Sequence, residues 1–475
     1  MEQIEIVTNN EERRKINKTV LHSLDEKLRG ELFMPDSDGS YEKARTVWNG
    51  LIHKKPGVIV QCRGAVDVIE AVNFARQEDI KLSVRGGGHN VAGLAVSDGG
   101  MVIDLSGMRG VHVDPIRRTA RAEGGALLGD LDHETQAFGL SAPIGVVSET
   151  GIAGLTLHGG YGWLSRKFGM TIDNLLSADV VTADGNLLRA SADENPDLFW
   201  ALKGGGGNFG VVTSFEYRLH PVGPDVWFSA PMYPLEKADE AMRFFRDYMS
   251  SAPEELGCIA VFWSVPPVPE IPANLHGIPV VIFLGCYTGP FEEGEKVLKP
   301  LREFDTPIAD LSAPMKFKEV QKALDADYPD GRLYYWKSLY MTELTDDAIR
   351  AVASIAAERP SPITSVDLWY LKGAASRVGI EETPFASRDA TYLFALESNW
   401  DDPAESEKNI AWSRKVFNDM KQFSTGSSYL NFPGFAEDRE TLVKSAYGRN
   451  YERLRQIKAK YDPGNLFHGN FNIKL

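Results

Sequence analysis

The stretch "VRGGGHN", residues 84–90, places three consecutive glycines directly before a histidine. A single tight turn rarely needs three glycines, whereas a bare backbone lets N–H groups approach an anionic ligand closely. Before it, Ile80, Leu82 and Val84 alternate along one face of a predicted strand. The glycines therefore begin where a strand ends, and loops at strand ends are where α/β sheets usually bind ligands.

The flanking sequence completes a strand–helix–strand unit. "PGVIVQC" (56–62) predicts a short buried strand, and "AVDVIEAVNFARQEDI" (65–80) has apolar residues at helical spacing. Further along, "MVIDL" (101–105) and "TARAEGGA" (119–126) predict strands, and "ADVVTADGNLLRA" (178–190) predicts a hairpin that turns at Asp184-Gly185. Residues 10–30 are charged and predict a peripheral helix.

The sequence changes in character after residue 221. Glycine clusters become rare, and longer apolar segments such as "CIAVFWSV" (258–265), "PVVIFLGCY" (279–287) and "TYLFALE" (391–397) take over. This pattern predicts a second α+β domain with an antiparallel sheet over residues 222–445. The tail, 450–473, predicts a helix that ends near Pro463. A chain of 475 residues is long for a single core, so two domains are expected.

Composition excludes several classes of function. The net charge is −15 with no basic run, which argues against a nucleic-acid partner. No uninterrupted apolar stretch predicts a membrane span, and the N-terminus has no signal-peptide pattern. Cys62, Cys258 and Cys286 are far apart, so neither a metal site nor a disulfide framework is expected. We expect a cytoplasmic protein.

Four glycine clusters lie in the first 221 residues. They are residues 86–88 with Gly93, residues 124–125, "GIAGLTLHGGYG" (151–162) and "KGGGGNFG" (203–210). Glycines at any one of these places are explained by a turn, but four clusters favour a large ligand with a pyrophosphate. Neither a dinucleotide-binding fingerprint nor a phosphate-binding P-loop motif fits them.

Taken in order, four stretches carry a resemblance: "VRGGGHNVAGLAVSDGGMVIDLSGM", "GLTLHGGYGWLSRKFGMTIDNLLSADVVTADG", "LFWALKGGGGNFGVVTSFEYRLHP" and the tail. Across nearly the whole chain the sequence resembles the FAD-linked oxidases of the p-cresol methylhydroxylase/vanillyl-alcohol oxidase fold. The berberine-bridge-enzyme-like branch matches best, in particular its bacterial, 6-hydroxy-D-nicotine-oxidase-like members. The resemblance implies an α+β protein with a two-part FAD domain (1–221, core about 50–221), an inserted substrate domain (222–445) and a C-terminal segment (446–475) that completes the FAD domain.

The resemblance also implies a covalent bond between His89 and the 8α-methyl carbon of the flavin. Neutral imidazole is a competent nucleophile for that carbon. The alternative is a histidine that only donates a hydrogen bond to the phosphates. Many relatives carry a second link through a cysteine, but this position is Val147 here. A single link through His89 is therefore expected.

Thr150 occupies the position at which the family controls access of oxygen to the flavin. Its hydroxyl either interacts with an oxygen species or bonds a backbone carbonyl. His158 is either a cofactor contact or a packing histidine within a strand. The FAD contacts implied by the resemblance are Arg85, Gly86, Gly87, Gly88, His89, Asn90, Gly93, Thr150, Gly151, Gly154, His158, Gly159, Gly160, Gly162, Gly210, Val212, Asn470 and Asn472.

The candidate catalytic residues lie in the second predicted domain. In "SSYLNFPGF", Tyr429 and Asn431 are two apart and share one face of a predicted strand, and they match the tyrosine–asparagine motif whose tyrosine acts as base. A tyrosinate needs a lowered pKa, for which Lys337 is the candidate cation. The 6-hydroxynicotine-oxidising members lack a tyrosine at this position, which weakens the transfer of their amine substrate.

Asp367 and Trp369 are two residues apart on another predicted strand and therefore share one face of it. They are expected to line the substrate pocket with Tyr335. Asp367 is a second candidate base or a ligand for an amine or a sugar hydroxyl; its alternative role is to cap or pair elsewhere. Trp369 is alternatively a core residue.

We therefore expect an oxidase that moves a hydride from an alcohol or amine carbon of a small molecule or sugar to FAD, with O2 reduced to H2O2. The alternatives are oxygenation or oxidative cyclisation of a secondary metabolite, and a flavoprotein that binds a ligand without turnover. A monomer or homodimer is expected, with no metal.

Overall fold

The computed structural model describes residues 3–35, 39–435 and 438–475. It begins with a β-hairpin, so the helix predicted over residues 10–30 is wrong except for eight residues. A four-stranded sheet follows in the order β3-β4-β6-β5, with the last three strands parallel. The elements are β1 (Gln3–Val7), β2 (Arg13–Asn17), α1 (Lys18–Asp25), β3 (Glu31–Phe33), α2 (Ser40–Arg45), β4 (Val58–Gln61), α3 (Ala65–Gln77), β5 (Leu82–Arg85) and β6 (Met101–Asp104).

A second sheet of five antiparallel strands has the order β11-β10-β12-β8-β7. The hairpin turn lies where predicted, and Gly185 adopts φ +84°, which glycine accommodates without strain. The elements are β7 (Val111–Asp114), β8 (Thr119–Glu123), α4 (Leu128–Gln136), β9 (Leu140–Ser141), α5 (Ile152–Leu157), α6 (Ser165–Phe168), β10 (Leu175–Val181), β11 (Leu187–Ser191), α7 (Pro196–Leu202), β12 (Val211–Arg218) and β13 (His220–Pro221).

The next part contains the predicted antiparallel sheet, which has nine strands with the main order β18-β15-β17-β16-β21-β22-β20. The elements are β14 (Asp225–Ser229), β15 (Pro231–Pro234), α8 (Ala238–Ser251), β16 (Leu256–Ser264), β17 (Pro279–Tyr287), α9 (Gly294–Arg302), β18 (Ala309–Asp310), β19 (Ala313–Lys316), α10 (Phe317–Val320), β20 (Leu333–Met341), α11 (Asp346–Ala357), β21 (Ser365–Tyr370), α12 (Ala374–Arg377), β22 (Tyr392–Trp400) and α13 (Ser406–Met420).

The two faces of this large sheet have different neighbours. Phe262, Phe283 and Leu368 point to one face and pack with α8, α11 and α13. Ile259 and Leu284 belong to the opposite face, which packs toward the first part of the chain. Because side chains alternate along each strand, every strand contributes both to a helix-covered core and to the face that borders the site.

The tail returns to the first part of the chain through α14 (Arg439–Tyr447) and α15 (Tyr451–Tyr461). Leu454 and Ile473 pack in the same core as residues of the five-stranded sheet. The fully buried Lys458 ammonium donates to the Asp462 carboxylate at 2.6 Å and to the Asn208 carbonyl at 2.9 Å. Within the described residues, no helix is long and apolar enough to cross a membrane.

Candidate cofactor and substrate site

A cavity of about 610 Å³ lies between the glycine clusters and the large sheet. This volume falls within the range of small-molecule and cofactor sites. The predicted site residues that line it are Gly86, Gly87, Gly88, His89, Asn90, Thr150, Gly151, Gly154, His158, Gly210, Val212, Asp367, Trp369, Tyr429, Asn431 and Asn470.

The glycines after β5 form a wall of backbone. A Cβ atom on Gly87 would lie only 2.5 Å from the Cα of Gly151, so the two loops touch through bare backbone. Gly88 adopts φ +73°, which also favours glycine. The sequence therefore needs glycine at these places for local geometric reasons, and the result is a cavity wall without side chains.

His89 follows this wall and is held in a ring stack. The Trp48 ring stacks on the imidazole at 4.0 Å between centroids, and the Tyr334 ring stacks on Trp48 at 3.7 Å. Nε2 of His89 has no hydrogen-bond partner within the described residues. Burial lowers the pKa of His89 to about 4, so the ring is neutral at pH 7.

His158 and Asn470 present further polar atoms at this end of the cavity. His158 caps α5 rather than lying in a strand, and burial lowers its pKa to about 4. Its Nε2 and the Oδ1 of Asn470 have no hydrogen-bond partner among the described residues. These atoms suit a ligand with its own donors and acceptors.

Several predicted cofactor contacts do not line the cavity: Arg85, Gly93, Gly159, Gly160, Gly162 and Asn472. The Arg85 guanidinium donates to the Ala44 carbonyl at 2.7 Å, so it is directed into the protein. The Gly160 N–H instead donates to the Tyr429 hydroxyl. An anionic ligand at this wall would therefore meet backbone amides rather than Arg85.

Tyr429 faces the cavity with its hydroxyl oxygen held by two donors. The Gly160 N–H donates to it at 3.0 Å, and the Asn431 side-chain amide donates at 2.9 Å. Burial raises the pKa of Tyr429 to about 12, while these two donors oppose the rise. The segment is a turn rather than the predicted strand, and Phe432 N–H closes it on the Tyr429 carbonyl.

Asp367 lies on the cavity face of β21, as its spacing from Trp369 predicts. Burial raises its pKa well above the ordinary value, and the nearby Glu397 carboxylate raises it further. Burial also raises the pKa of Glu397 to about 7, although a hydrogen bond of 2.5 Å from the Tyr328 hydroxyl opposes this.

Lys337 and Tyr335 lie on the other face of the large sheet. The Lys337 ammonium lies 4.2 Å from the centroid of the Phe417 ring of α13, and Tyr335 accepts a hydrogen bond from Arg414 of the same helix. Both residues alternate with Tyr334 and Trp336, which point the opposite way, because side chains alternate along β20. The structure therefore does not bring Lys337 to Tyr429.

Sequence reasoning missed Trp48, Tyr328 and Glu397, and it did not predict the stack of Trp48 on Tyr334. Trp48 and Tyr334 are almost three hundred residues apart, and only the fold stacks them. Glu397 had a usable signal, because a carboxylate within the apolar strand "TYLFALE" is unusual. Among the described residues, no cluster of His, Cys, Asp and Glu is arranged to hold a metal ion.

Comparison with known proteins agrees with this geometry. Residues 56–191 match the model of an FAD binding domain, and residues 428–474 match that of the berberine and berberine-like family. An FAD-linked oxidoreductase of Dictyostelium discoideum is 31% identical over 464 residues, covering 96% of this chain and 97% of the relative. The (R)-6-hydroxynicotine oxidase of Paenarthrobacter nicotinovorans is also 31% identical, over 94% of this chain and 97% of its own.

The crystal structure of 6-hydroxy-D-nicotine oxidase from Arthrobacter nicotinovorans superposes with a TM-score of 0.83 at 29% identity, covering 94% of this chain and 98% of the other. The bare glycine wall and the unpartnered atoms of His89, His158 and Asn470 fit FAD as the ligand of this end of the cavity. The predicted fold class is confirmed. The chain belongs to the berberine-bridge-enzyme-like family of FAD-linked oxidoreductases, with the p-cresol methylhydroxylase/vanillyl-alcohol oxidase fold.

Proposed function

We propose that this oxidoreductase is an oxidase with one covalent flavin link, which takes a hydride from an alcohol or amine carbon of a small organic molecule. The observation that carries the proposal is the Tyr429 hydroxyl, which faces the cavity and accepts two hydrogen bonds. The chemistry supplied by bound FAD is hydride acceptance, followed by electron transfer to O2 with release of H2O2.

In this proposal the deprotonated form of Tyr429 takes the proton from the substrate O–H or N–H as the hydride leaves the adjacent carbon, so the rate of flavin reduction should rise with pH. The Gly160 and Asn431 donors stabilise negative charge on the phenol oxygen and fix its direction. Asp367 is the second candidate for the same role. Its carboxyl lines the cavity beside Glu397, whose pKa burial raises to about 7.

We further propose that His89 forms the single covalent bond between the protein and the flavin. The neutral imidazole borders the cavity, which suits a nucleophile. Val147 also lines the cavity, whereas Cys62, Cys258 and Cys286 are buried outside it. The predicted domain bounds at residues 221 and 445, the cytoplasmic location and a monomeric or homodimeric state belong to the same proposal.

Acid precipitation tests the link. We expect the flavin to remain with the precipitated protein and to fluoresce in the denatured band, whereas His89→Ala releases it. A yellow supernatant from the wild-type protein would contradict the covalent link but not the oxidase activity.

An anaerobic panel of amines and alcohols tests the activity. We expect at least one compound to bleach the flavin absorbance, and admission of air to restore it with H2O2 release. A panel in which no compound bleaches the flavin would favour the ligand-binding alternative.

A further inference from the structure

The cavity wall opposite the glycine loops is acidic. Asp367 and Glu397 line it, and they are only 5% and 4% exposed. In the antiparallel register of β21 and β22, Glu397 lies opposite Ser365 and Asp367 lies opposite Ala395. The two carboxyls are therefore diagonal neighbours on one face of the sheet, within reach of a single ligand group.

Three buried polar atoms on this face of β21 lack a hydrogen-bond partner within the described residues: Ser365 Oγ, Asp367 Oδ1 and Trp369 Nε1. The Ser365 hydroxyl lies near the Asp367 carboxyl and opposes the rise in its pKa, but the geometry of a hydrogen bond is not reached. Leaving such a buried atom unpaired is unfavourable, because its hydrogen bond to water is lost without replacement. The Ser365 and Asp367 oxygens can accept hydrogen bonds from a ligand that has donors of its own, whereas the Trp369 N–H can only donate.

The carboxyls of this wall have no cationic side chain beside them in the cavity. Among the described residues that line the cavity there is no lysine or arginine, whereas Asp327 adds a further carboxyl. The cation that opposes the rise in the pKa of Asp367 is Arg359. That guanidinium donates to the backbone carbonyls of Phe262, Trp263 and Thr364, so it is already engaged.

Aromatic rings surround the acidic wall. The Trp336 ring lies 5.5 Å from Tyr328 and 5.3 Å from Phe432, and Trp369 lies 6.5 Å from Phe432, between ring centroids. The negative faces of such rings attract cations, most strongly where water is excluded. Carboxyls and aromatic rings together form a chemical environment suited to an organic cation.

Beyond the carboxyls, the same face of the sheet is apolar. On β16, Val261 lies opposite Asp367 and Ile259 lies opposite Trp369, and Met232, Ile282, Leu284 and Met315 also line the cavity. A carbohydrate carries hydroxyls around its whole ring, and those turned toward these apolar side chains would lose their hydrogen bonds to water without replacement. A ligand with one cationic end and an apolar body matches both parts of this sheet face.

We propose that the acidic wall (Ser365, Asp367, Trp369, Glu397 and Tyr328) binds the ammonium group of an otherwise apolar amine, and that such amines are the substrate class. The assignment of amines as substrates rests on the proposed oxidase function. The binding of the ammonium group is independent of that function, because binding requires only the filled cofactor site and the acidic wall.

A series of ligands that differ only in charge tests the proposal: 3-phenylpropylamine, 3-phenylpropan-1-ol and 3-phenylpropanoate. Their binding to the flavin-loaded enzyme is measured anaerobically at pH 7 by calorimetry and by the shift of the visible flavin spectrum. We expect the amine to bind at least about tenfold more tightly than the alcohol, and the carboxylate most weakly.

Two isosteric variants, Asp367→Asn and Glu397→Gln, each reduce amine affinity about tenfold or more and leave alcohol affinity within about twofold. Glu270→Gln is the matched control, because Glu270 lies at the exposed edge of the same cavity. It leaves the affinity for the amine nearly unchanged. If Asp367→Asn does not fold, Glu397→Gln and Tyr328→Phe carry the test.

Equal affinities for amine and alcohol, or unchanged amine binding in both variants, would overturn the proposal. Flavin bleaching by neutral alcohols together with weak amine binding would overturn it while leaving the oxidase function in place. Tight amine binding, together with no flavin reduction by any amine or alcohol of the panel, would support the binding site and contradict the oxidase function.

Discussion

The two ends of the cavity are built by different means. At the cofactor end, the wall is backbone: Gly87 touches Gly151, and positive φ at Gly88 turns the chain. At the substrate end, the wall consists of side chains from strands β16, β17, β21 and β22. The first arrangement tolerates no added atom, whereas the second tolerates exchange of side chains at fixed backbone. Local backbone geometry therefore determines which cofactor fits at one end. The side chains on the sheet determine which substrate fits at the other end.

Gly87→Ala should have the largest effect, because its Cβ would meet the Gly151 backbone, which has no space to yield. We expect loss of flavin-loaded folded protein, measured as the ratio of flavin to protein absorbance after purification. Gly64→Ala is the control, since its Cβ meets no atom within 4 Å. Normal flavin content in Gly87→Ala would contradict the strict backbone role of this wall.

Tyr429→Phe removes the proposed proton acceptor and keeps the ring packing. We expect the rate of anaerobic flavin reduction to fall about 10²- to 10⁴-fold, with flavin content unchanged. Stopped-flow absorbance measures this rate. A fall of less than tenfold would transfer the role to Asp367, whose Asn variant would then show the larger loss.

Trp48→Leu removes the ring stacked on His89 and tests whether the cofactor end also depends on side chains. An aromatic pair contributes about 0.5–1.5 kcal/mol, so we expect slower attachment of added FAD to apoprotein rather than its abolition. The acid-stable flavin fraction is followed over time. Tyr334→Leu, one ring further along the stack, should have a smaller effect. An unchanged rate in Trp48→Leu would show that the stack does not orient the imidazole.

Glu397→Gln tests, through the pH dependence of thermal stability, whether the carboxyl of Glu397 is destabilised when it is charged. The pKa of Glu397 is raised to about 7 in the folded state, so the folded protein binds the proton more tightly than the unfolded chain does. Stability therefore decreases as pH rises from about 4.5 to 7. The variant should raise Tm by about 2 °C at pH 8 and not at pH 4.

Asp132→Asn is the comparison for this pH effect, because burial also raises the pKa of Asp132 to about 7, outside the cavity. Its Tm should respond to pH in the same direction, whereas added 3-phenylpropylamine should reduce the pH effect only at Glu397. Thermal melts at pH 4 and pH 8, with and without the amine, measure both. An equal response to amine in both variants would argue against a ligand at Glu397.

Lys337→Met should have the smallest effect on the site, because Lys337 lies on the helix-covered face of the sheet. We expect the pH profile of flavin reduction to be unchanged, with at most a modest shift in Tm. A displaced alkaline limb of the profile would restore Lys337 as the cation that lowers the pKa of Tyr429.

Much of the cofactor end was visible in the sequence. "VRGGGHN" predicted a strand, a bare loop and a histidine, and β5 ends at Arg85 as expected. Glycine runs are informative because positive φ and close backbone contacts exclude other residues locally. The sequence did not decide whether Arg85 or backbone alone would meet an anion, since nothing in a sequence gives the direction of a long side chain.

The sequence by itself determined the glycine wall, the antiparallel sheet and the alternation that places Asp367 beside Trp369. Only the tertiary structure decided that Lys337 points away from Tyr429, that Trp48 stacks on His89, and that Glu397 lies diagonal to Asp367. Each of these depends on strand register or on contacts between distant segments. Periodicity gives the two faces of a strand, but packing decides which face borders the cavity.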